Sequence, residues 1–66
     1  MYSIKVVGSK HINVFTTNDF EVYVGFVRLL RHNADTLEIP LEEDDIIYVM
    51  DASGNTIDSF SPRLED

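Results

Sequence analysis

The sequence predicts an α+β fold, a small two-layer sandwich in which one helix crosses one face of a mostly antiparallel sheet. One segment, residues 18–33, carries apolar side chains at helical spacing. On both sides of it, short segments alternate apolar and polar residues and are separated by turn-forming residues. A chain of 66 residues is long enough for one domain. The predicted element order is therefore ββαββ, or ββαβββ if residues 36–41 also pair.

Two strands and a tight turn are predicted before the helix. Residues 2–7 have the sequence YSIKVV, and every second side chain falls on one face. Residues 11–15, HINVF, form the second strand, which begins at His11, a residue expected at the surface. The intervening residues 8–10, GSK, suit a hairpin with a bulged connection.

The helix is predicted over residues 18–33 although the segment is rich in Val and contains a glycine, both of which disfavour helix. Asn18 is the expected N-cap, because Glu21 follows at the spacing of a capping box. Asn33 is the expected C-terminal cap. Acidic residues begin the segment and basic residues end it, which matches the helix dipole. The alternative fold is an all-β barrel in which residues 20–31 form a long strand.

The apolar arc of this helix is wider than one small sheet can cover. A surface helix usually has an apolar stripe somewhat over about 100° wide, whereas here the arc spans about 220°. Val22, Phe26 and Leu29, spaced i, i+4 and i+7, are predicted to face outward. Either a loop or the C-terminal segment covers them, or they form a homodimer or partner interface. The side chains predicted to face the sheet are Phe20, Tyr23, Val24, Val27 and Leu30.

Three strands are predicted after the helix. Residues 36–41 form the first, and the proline within it restricts it to a sheet edge. Residues 46–51, IIYVMD, and residues 56–60, TIDSF, form a hairpin around the turn ASGN. The domain is therefore predicted to span residues 1–61, followed by a frayed acidic tail at 62–66.

The negative charge is concentrated in the C-terminal half. The formal net charge is −7 at pH 7. Residues 1–33 contain four basic and two acidic residues, whereas residues 34–66 contain ten acidic residues and one basic residue. An acidic surface repels nucleic acid and anionic membranes, so a basic protein is the expected partner. Without cysteine, a leader-like segment or an apolar run of membrane-spanning length, the chain is expected to be cytoplasmic.

Carboxylates recur along the last strands and their loops. Side chains that alternate along strands can imitate the spaced charges of a nucleic-acid backbone. Such a surface would compete for the basic channel of an enzyme that handles DNA or RNA. The predicted partner-binding acidic surface consists of Glu38, Glu42, Glu43, Asp44, Asp45, Asp51 and Asp58.

The sequence contains no motif for catalysis or for binding a metal or cofactor. The four consecutive carboxylates at 42–45 cannot all turn toward one ion, and their spacing matches no EF-hand. His11 and His32 are separated by the helix and have no cysteine partner for zinc. The serines of the C-terminal half have no histidine close in sequence. We therefore expect a non-enzymatic protein without cofactor or metal.

In size, charge and cysteine-free single-domain layout, the chain resembles the small acidic inhibitors made by bacteriophages, a group that includes anti-CRISPR proteins, anti-restriction proteins and RNA polymerase inhibitors. The resemblance implies a phage or mobile-element inhibitor that blocks a host nucleic-acid-handling enzyme through its acidic surface. The alternative function is a small structural or oligomerising accessory protein that binds through Val22, Phe26 and Leu29, with the acidity serving only solubility.

Overall fold

A computed structural model of the chain describes residues 1–34, 37 and 41–62. The four described strands form one antiparallel sheet in the order β2-β1-β3-β4. Among these strands β2 and β4 are the edges, so the sheet is open. The predicted α+β fold is confirmed, and the all-β barrel is wrong. The elements are β1 (Tyr2–Val7), β2 (Ile12–Thr17), α1 (Phe20–His32), β3 (Ile46–Met50) and β4 (Thr56–Phe60).

Helix α1 begins one residue after its true cap, which is Asp19 and not the predicted Asn18. The Asp19 carboxylate accepts hydrogen bonds from the backbone N–H groups of Glu21 at 2.9 Å and Val22 at 3.4 Å. The hydroxyl oxygen of Thr17 in turn accepts a hydrogen bond from the Asp19 N–H at 3.0 Å. The chain therefore passes from β2 into the helix over two residues, which fixes the helix close to the β2 edge.

The C-terminal end of the helix agrees with the prediction. The helix ends at His32, and the backbone N–H of the capping residue Asn33 donates to the Leu29 carbonyl at 2.7 Å. Arg31 and His32 occupy the last turn, where the helix dipole favours positive charge.

The core lies between α1 and one face of β1 and β3. Burying a large aliphatic or aromatic side chain stabilises a fold by about 1.5–3 kcal/mol, so a chain this small depends on each of them. Phe20 was predicted to lie in this core but is 57% exposed. As the first helical residue it lies at the end of the sheet, where its ring contacts Tyr2 with 5.5 Å between centroids. The buried apolar residues are Ile4, Val6, Tyr23, Leu30, Ala34, Ile47 and Val49.

Several predicted boundaries shift. β2 continues through Thr16 and Thr17, because these β-branched residues pair with the start of β1. The β3–β4 turn forms as predicted, and Gly54 has a φ of 88°, a conformation that favours glycine. Pro62, which was assigned to the tail, is buried. The strand predicted at 36–41 and the tail at 63–66 lie largely or wholly outside the described residues.

The face of the sheet that α1 does not cover carries an apolar row. Lys5 and Val7 lie on this face, and Val7 is paired with Ile12 on one side and Ile46 on the other, so the row crosses three strands. Asp58 does not lie on this face, because it pairs with the buried Val49 and therefore lies on the helix side.

Candidate functional site

A concave surface lies between the outer edge of β2 and helix α1. Among the described strands β2 pairs only with β1, so its other edge leaves backbone N–H and C=O groups unpaired. A groove of about 380 Å³ follows this edge. Its wall toward the helix includes Val22 and Phe26, and its wall toward the sheet includes Val14 and Phe15. We call this surface, with Leu29 on the same side of α1, the β2–α1 edge.

The helix residues of the β2–α1 edge differ in exposure. Val22 is 53% exposed and Leu29 is 40% exposed, as the width of the apolar arc predicted. Phe26 is half-buried, because its ring contacts Phe15 of β2 with 5.1 Å between centroids. No described loop covers Val22 or Leu29, so within the described residues this side of the helix is open.

The predicted acidic surface is not one surface. The carboxylates before β3 and the carboxylate of Asp51 after it lie at opposite ends of a five-residue strand, about 20 Å apart. Asp51 is also occupied within its own turn, since its Oδ1 accepts hydrogen bonds from the N–H groups of Ser53 and Asn55 at 2.9 and 3.0 Å. Glu38, the first member of the predicted set, lies outside the described residues.

Asp58 is neutralised within the chain. The Arg31 guanidinium donates a hydrogen bond to its carboxylate and also stacks on the Phe60 ring, 4.2 Å from the centroid. The hydrogen bond from Arg31 lowers the pKa of Asp58 below its ordinary value of 3.8, and the backbone N–H of Ser59 acts in the same direction. Asp58 therefore joins β4 to α1 and contributes little free negative charge to a partner.

Asp45 is fully buried, so it cannot belong to an exposed acidic surface. Its Oδ2 accepts a hydrogen bond from the Glu42 N–H at 3.0 Å and lies 3.3 Å from His11 Nε2. Neither His11 Nε2 nor Asp45 Oδ1 forms a hydrogen bond with any described residue. A side chain at Gly8 would collide with Asp45 Oδ1. Gly8, His11 and Asp45 thus form a buried polar cluster beneath the β1–β2 turn.

Three exposed carboxylates remain, those of Glu42, Glu43 and Asp44 in the turn before β3. Carboxylate oxygens of Glu42, Asp44 and Asp45 lie within 4.8 Å of one another, a spacing that a hard cation can bridge. One of these three carboxylates is already engaged with the turn and with His11, however, and exposed acidic groups commonly cluster without an ion. We assign no metal to this turn.

Sequence reasoning missed the roles of His11, Gly8 and Arg31. A signal for His11 and Asp45 was present, because counting in steps of two from the inward Phe15 reaches His11 and from the inward Ile47 reaches Asp45. No local signal marks Gly8 or Arg31, whose partners lie far away in sequence.

Comparison of the chain with protein-family models, with curated proteins and with solved structures found no match. Within the described residues no helix is both long enough and apolar enough to cross a membrane.

Proposed function

We propose that this chain is a non-enzymatic protein-interaction module whose contact surface is the β2–α1 edge. The observation that carries the proposal is the position of two exposed apolar side chains, Val22 and Leu29, beside the edge of β2 that pairs with no described strand. A protein that adds a strand to β2 gains backbone hydrogen bonds, and apolar side chains beside the edge then add affinity and specificity.

Support for a non-enzymatic role comes from how the polar groups are used. The half-buried His11 lies against Asp45 in the buried polar cluster, and no described serine or threonine hydroxyl is hydrogen bonded to a histidine. The groove along β2 is lined mainly by apolar side chains, which suits binding and supplies no acid–base pair.

The test compares proteins retained by the immobilised chain with proteins retained by matched variants. Val22→Lys together with Leu29→Lys alters the β2–α1 edge, whereas Ile57→Lys alters a residue of similar exposure, 60%, on the opposite edge strand β4. The proteins are retained from a cell lysate, to which an untagged copy of the chain is added so that self-association is also detected. Selective loss of a retained protein, or of the untagged copy, in the double variant is expected. Identical sets for the double variant and the wild-type chain would refute the proposal.

The second candidate function is an inhibitor that binds through an acidic surface, now reduced to three residues, Glu42, Glu43 and Asp44. These three adjacent carboxylates are exposed and lie in one turn. A basic nucleic-acid-handling enzyme bound through them would be released by salt and would not be retained by a chain carrying Glu42→Gln, Glu43→Gln and Asp44→Asn. Asp45 is left unchanged because it is buried. Retention that survives both high salt and these substitutions would exclude charge mimicry.

A further inference from the structure

We infer that the β2–α1 edge is the contact surface between two copies of this chain, related by a two-fold axis that pairs β2 with β2 and packs α1 antiparallel to α1. The inference rests on the proposed function and names the occupant of the same surface. Four observations support it. They are the symmetric spacing of the exposed apolar residues on α1, the alignment of the middle of β2 with the middle of α1, the distribution of charge on α1, and the open space beside Gly25.

The exposed apolar pattern of α1 is symmetric about its middle. Val22 and Leu29 lie at equal distances from the midpoint between Gly25 and Phe26. Two antiparallel helices that cross at this midpoint bring Val22 of one copy to the level of Leu29 of the second copy. A two-fold contact requires a surface that complements itself in this way.

Strand β2 is centred at the same level as the helix. The contact between the rings of Phe15 and Phe26 places the middle of α1 beside Phe15. One axis through this level, perpendicular to the sheet, therefore serves both elements. It joins two four-stranded sheets into one sheet of eight strands and keeps both helices on the same face. The helix and the strand are each about 20 Å long, so their contacts extend over the same distance.

The charges along the edge suit an antiparallel pair. Glu21 lies in the first turn of α1, and Arg28 and His32 lie on the same stripe of the helix in its second half. Arg31 does not belong to this stripe, because it lies on the opposite side of the helix and pairs with Asp58 of β4. An antiparallel second copy places the acidic end of each helix beside the basic end of the other. The two helix dipoles then run in opposite directions, which is a favourable electrostatic arrangement. β2 contains no charged residue, so its edge can pair without burying a charge.

Within the described residues, no contact requires a glycine at position 25. A glycine in a helix interior is unfavourable, yet apart from its two chain neighbours and the backbone of α1 itself, no described atom lies within 4 Å of the position that a Cβ would take. The intramolecular packing therefore does not require a small residue at this position. Close approach of a second helix at the midpoint of α1 does require one.

The first experiment is sedimentation velocity of the full chain and its variants, from about 10 μM to about 1 mM, a range that detects weak to moderate dimers. We expect the wild-type chain to dimerise. We expect Val22→Lys and Leu29→Lys each to raise the dissociation constant at least about tenfold, and the control Ile57→Lys to leave it within about twofold. Each substitution makes the chain less negative, so weaker association cannot come from greater net repulsion. A monomer at every concentration, or a dimer that tolerates both edge substitutions, overturns the inference.

The second experiment measures disulfide formation and remains decisive if a lysine variant fails to fold. The native chain contains no cysteine, so introduced thiols react without background. A chain with Val22→Cys is mixed with a chain with Leu29→Cys under mild oxidation. The mixed disulfide is expected to form at least about tenfold faster than either self-pair, because the antiparallel arrangement offsets like positions by about 10 Å along the axis, beyond disulfide reach. Faster self-pairing would overturn the arrangement.

Failure of this inference can be distinguished from failure of the proposed function. If the chain is a monomer but retains another protein through the β2–α1 edge, the dimer is wrong and the proposed interaction module is supported. A chain whose edge substitutions change neither self-association nor retention of any protein contradicts both.

Discussion

Tyr23 connects the helix to the end of β3 through its hydroxyl. This side chain is 5% exposed, and its hydroxyl donates a hydrogen bond to the Met50 carbonyl at 2.9 Å. Burial raises the pKa of the hydroxyl above 10.0, and the negative charge of Asp51 acts in the same direction. Tyr23 is therefore protonated and a donor throughout the neutral range.

Tyr23→Phe is expected to lower the free energy of unfolding by about 1–2 kcal/mol, because it leaves the Met50 carbonyl without its donor. Urea denaturation followed by far-UV circular dichroism measures the change. The control is Tyr48→Phe, on the uncovered face of the sheet, where the hydroxyl forms no hydrogen bond with a described residue. Equal losses in the two variants would show that the Tyr23 hydrogen bond does not contribute.

Two glycines with opposite surroundings give opposite predictions. A side chain at Gly8 would collide with the Asp45 carboxylate, which is buried and accepts a hydrogen bond from the Glu42 N–H. Gly8→Ala should therefore destabilise the fold by about 1–3 kcal/mol through overpacking. Gly25→Ala should instead stabilise the isolated chain by about 0.5–1 kcal/mol, because alanine favours helix and the space is open.

Thermal denaturation at low protein concentration compares the two alanine variants with the wild-type chain. A Gly8→Ala variant as stable as the wild type would mean that the buried polar cluster rearranges without cost. Loss of stability in Gly25→Ala would show that this position is already in contact with something.

At the scale of the element, the start of α1 is a place where the structure differs from the sequence-based prediction. Asn18 and Asp19 are both good capping residues, and the spacing to Glu21 favours Asn18 in the sequence alone. The structure selects Asp19, because Thr17 belongs to β2 and its hydroxyl oxygen accepts a hydrogen bond from the Asp19 N–H. Strand pairing thus decides a choice that local propensity leaves open.

Asp19→Ala is expected to cost about 1 kcal/mol, because two backbone N–H groups of the first turn lose their acceptor. Asn18→Ala is the matched control and should change the free energy of unfolding by at most about 0.5 kcal/mol. Chemical denaturation of both variants measures the difference. A larger cost for Asn18→Ala would place the cap where the sequence pattern put it.

The link between α1 and β4 depends on the ionisation of Asp58. Its pKa is lowered in the folded state, so its contribution to stability is present above the unfolded pKa and is lost as the pH falls through the folded pKa. We expect Arg31→Gln to raise the pKa of Asp58 toward its ordinary value. Carboxyl carbon chemical shifts followed by NMR against pH measure this directly. An unchanged Asp58 titration in Arg31→Gln would contradict the ion pair.

At the scale of the whole molecule, the fold class was predictable and the sites were only partly so. Alternation and helical spacing predicted the four strands, the helix and the outward side of α1, because these patterns are local. The fate of the carboxylates was not predictable from charge alone. The four consecutive acidic residues at 42–45 are indistinguishable by charge, yet three are exposed and Asp45 is buried. The difference arises because β1 pairs with β3, which brings the β1–β2 turn and His11 next to Asp45. Asp58 likewise loses its free charge to Arg31, 27 residues earlier in the chain.

Association across the β2–α1 edge should make the stability of this chain depend on its concentration. A domain of this size buries only about 60% of its unfolded surface, so its stability is marginal and any added interface is a large fraction of it. For a dimer that unfolds to two chains, each tenfold rise in concentration adds about 0.7 kcal/mol per chain. We therefore expect the melting temperature to rise by about 3–6 °C per decade of concentration in the wild type and in Ile57→Lys. In Leu29→Lys the rise should be smaller, and differential scanning calorimetry over two decades measures all three. A melting temperature independent of concentration in every chain would mean that the fold is complete without a second copy.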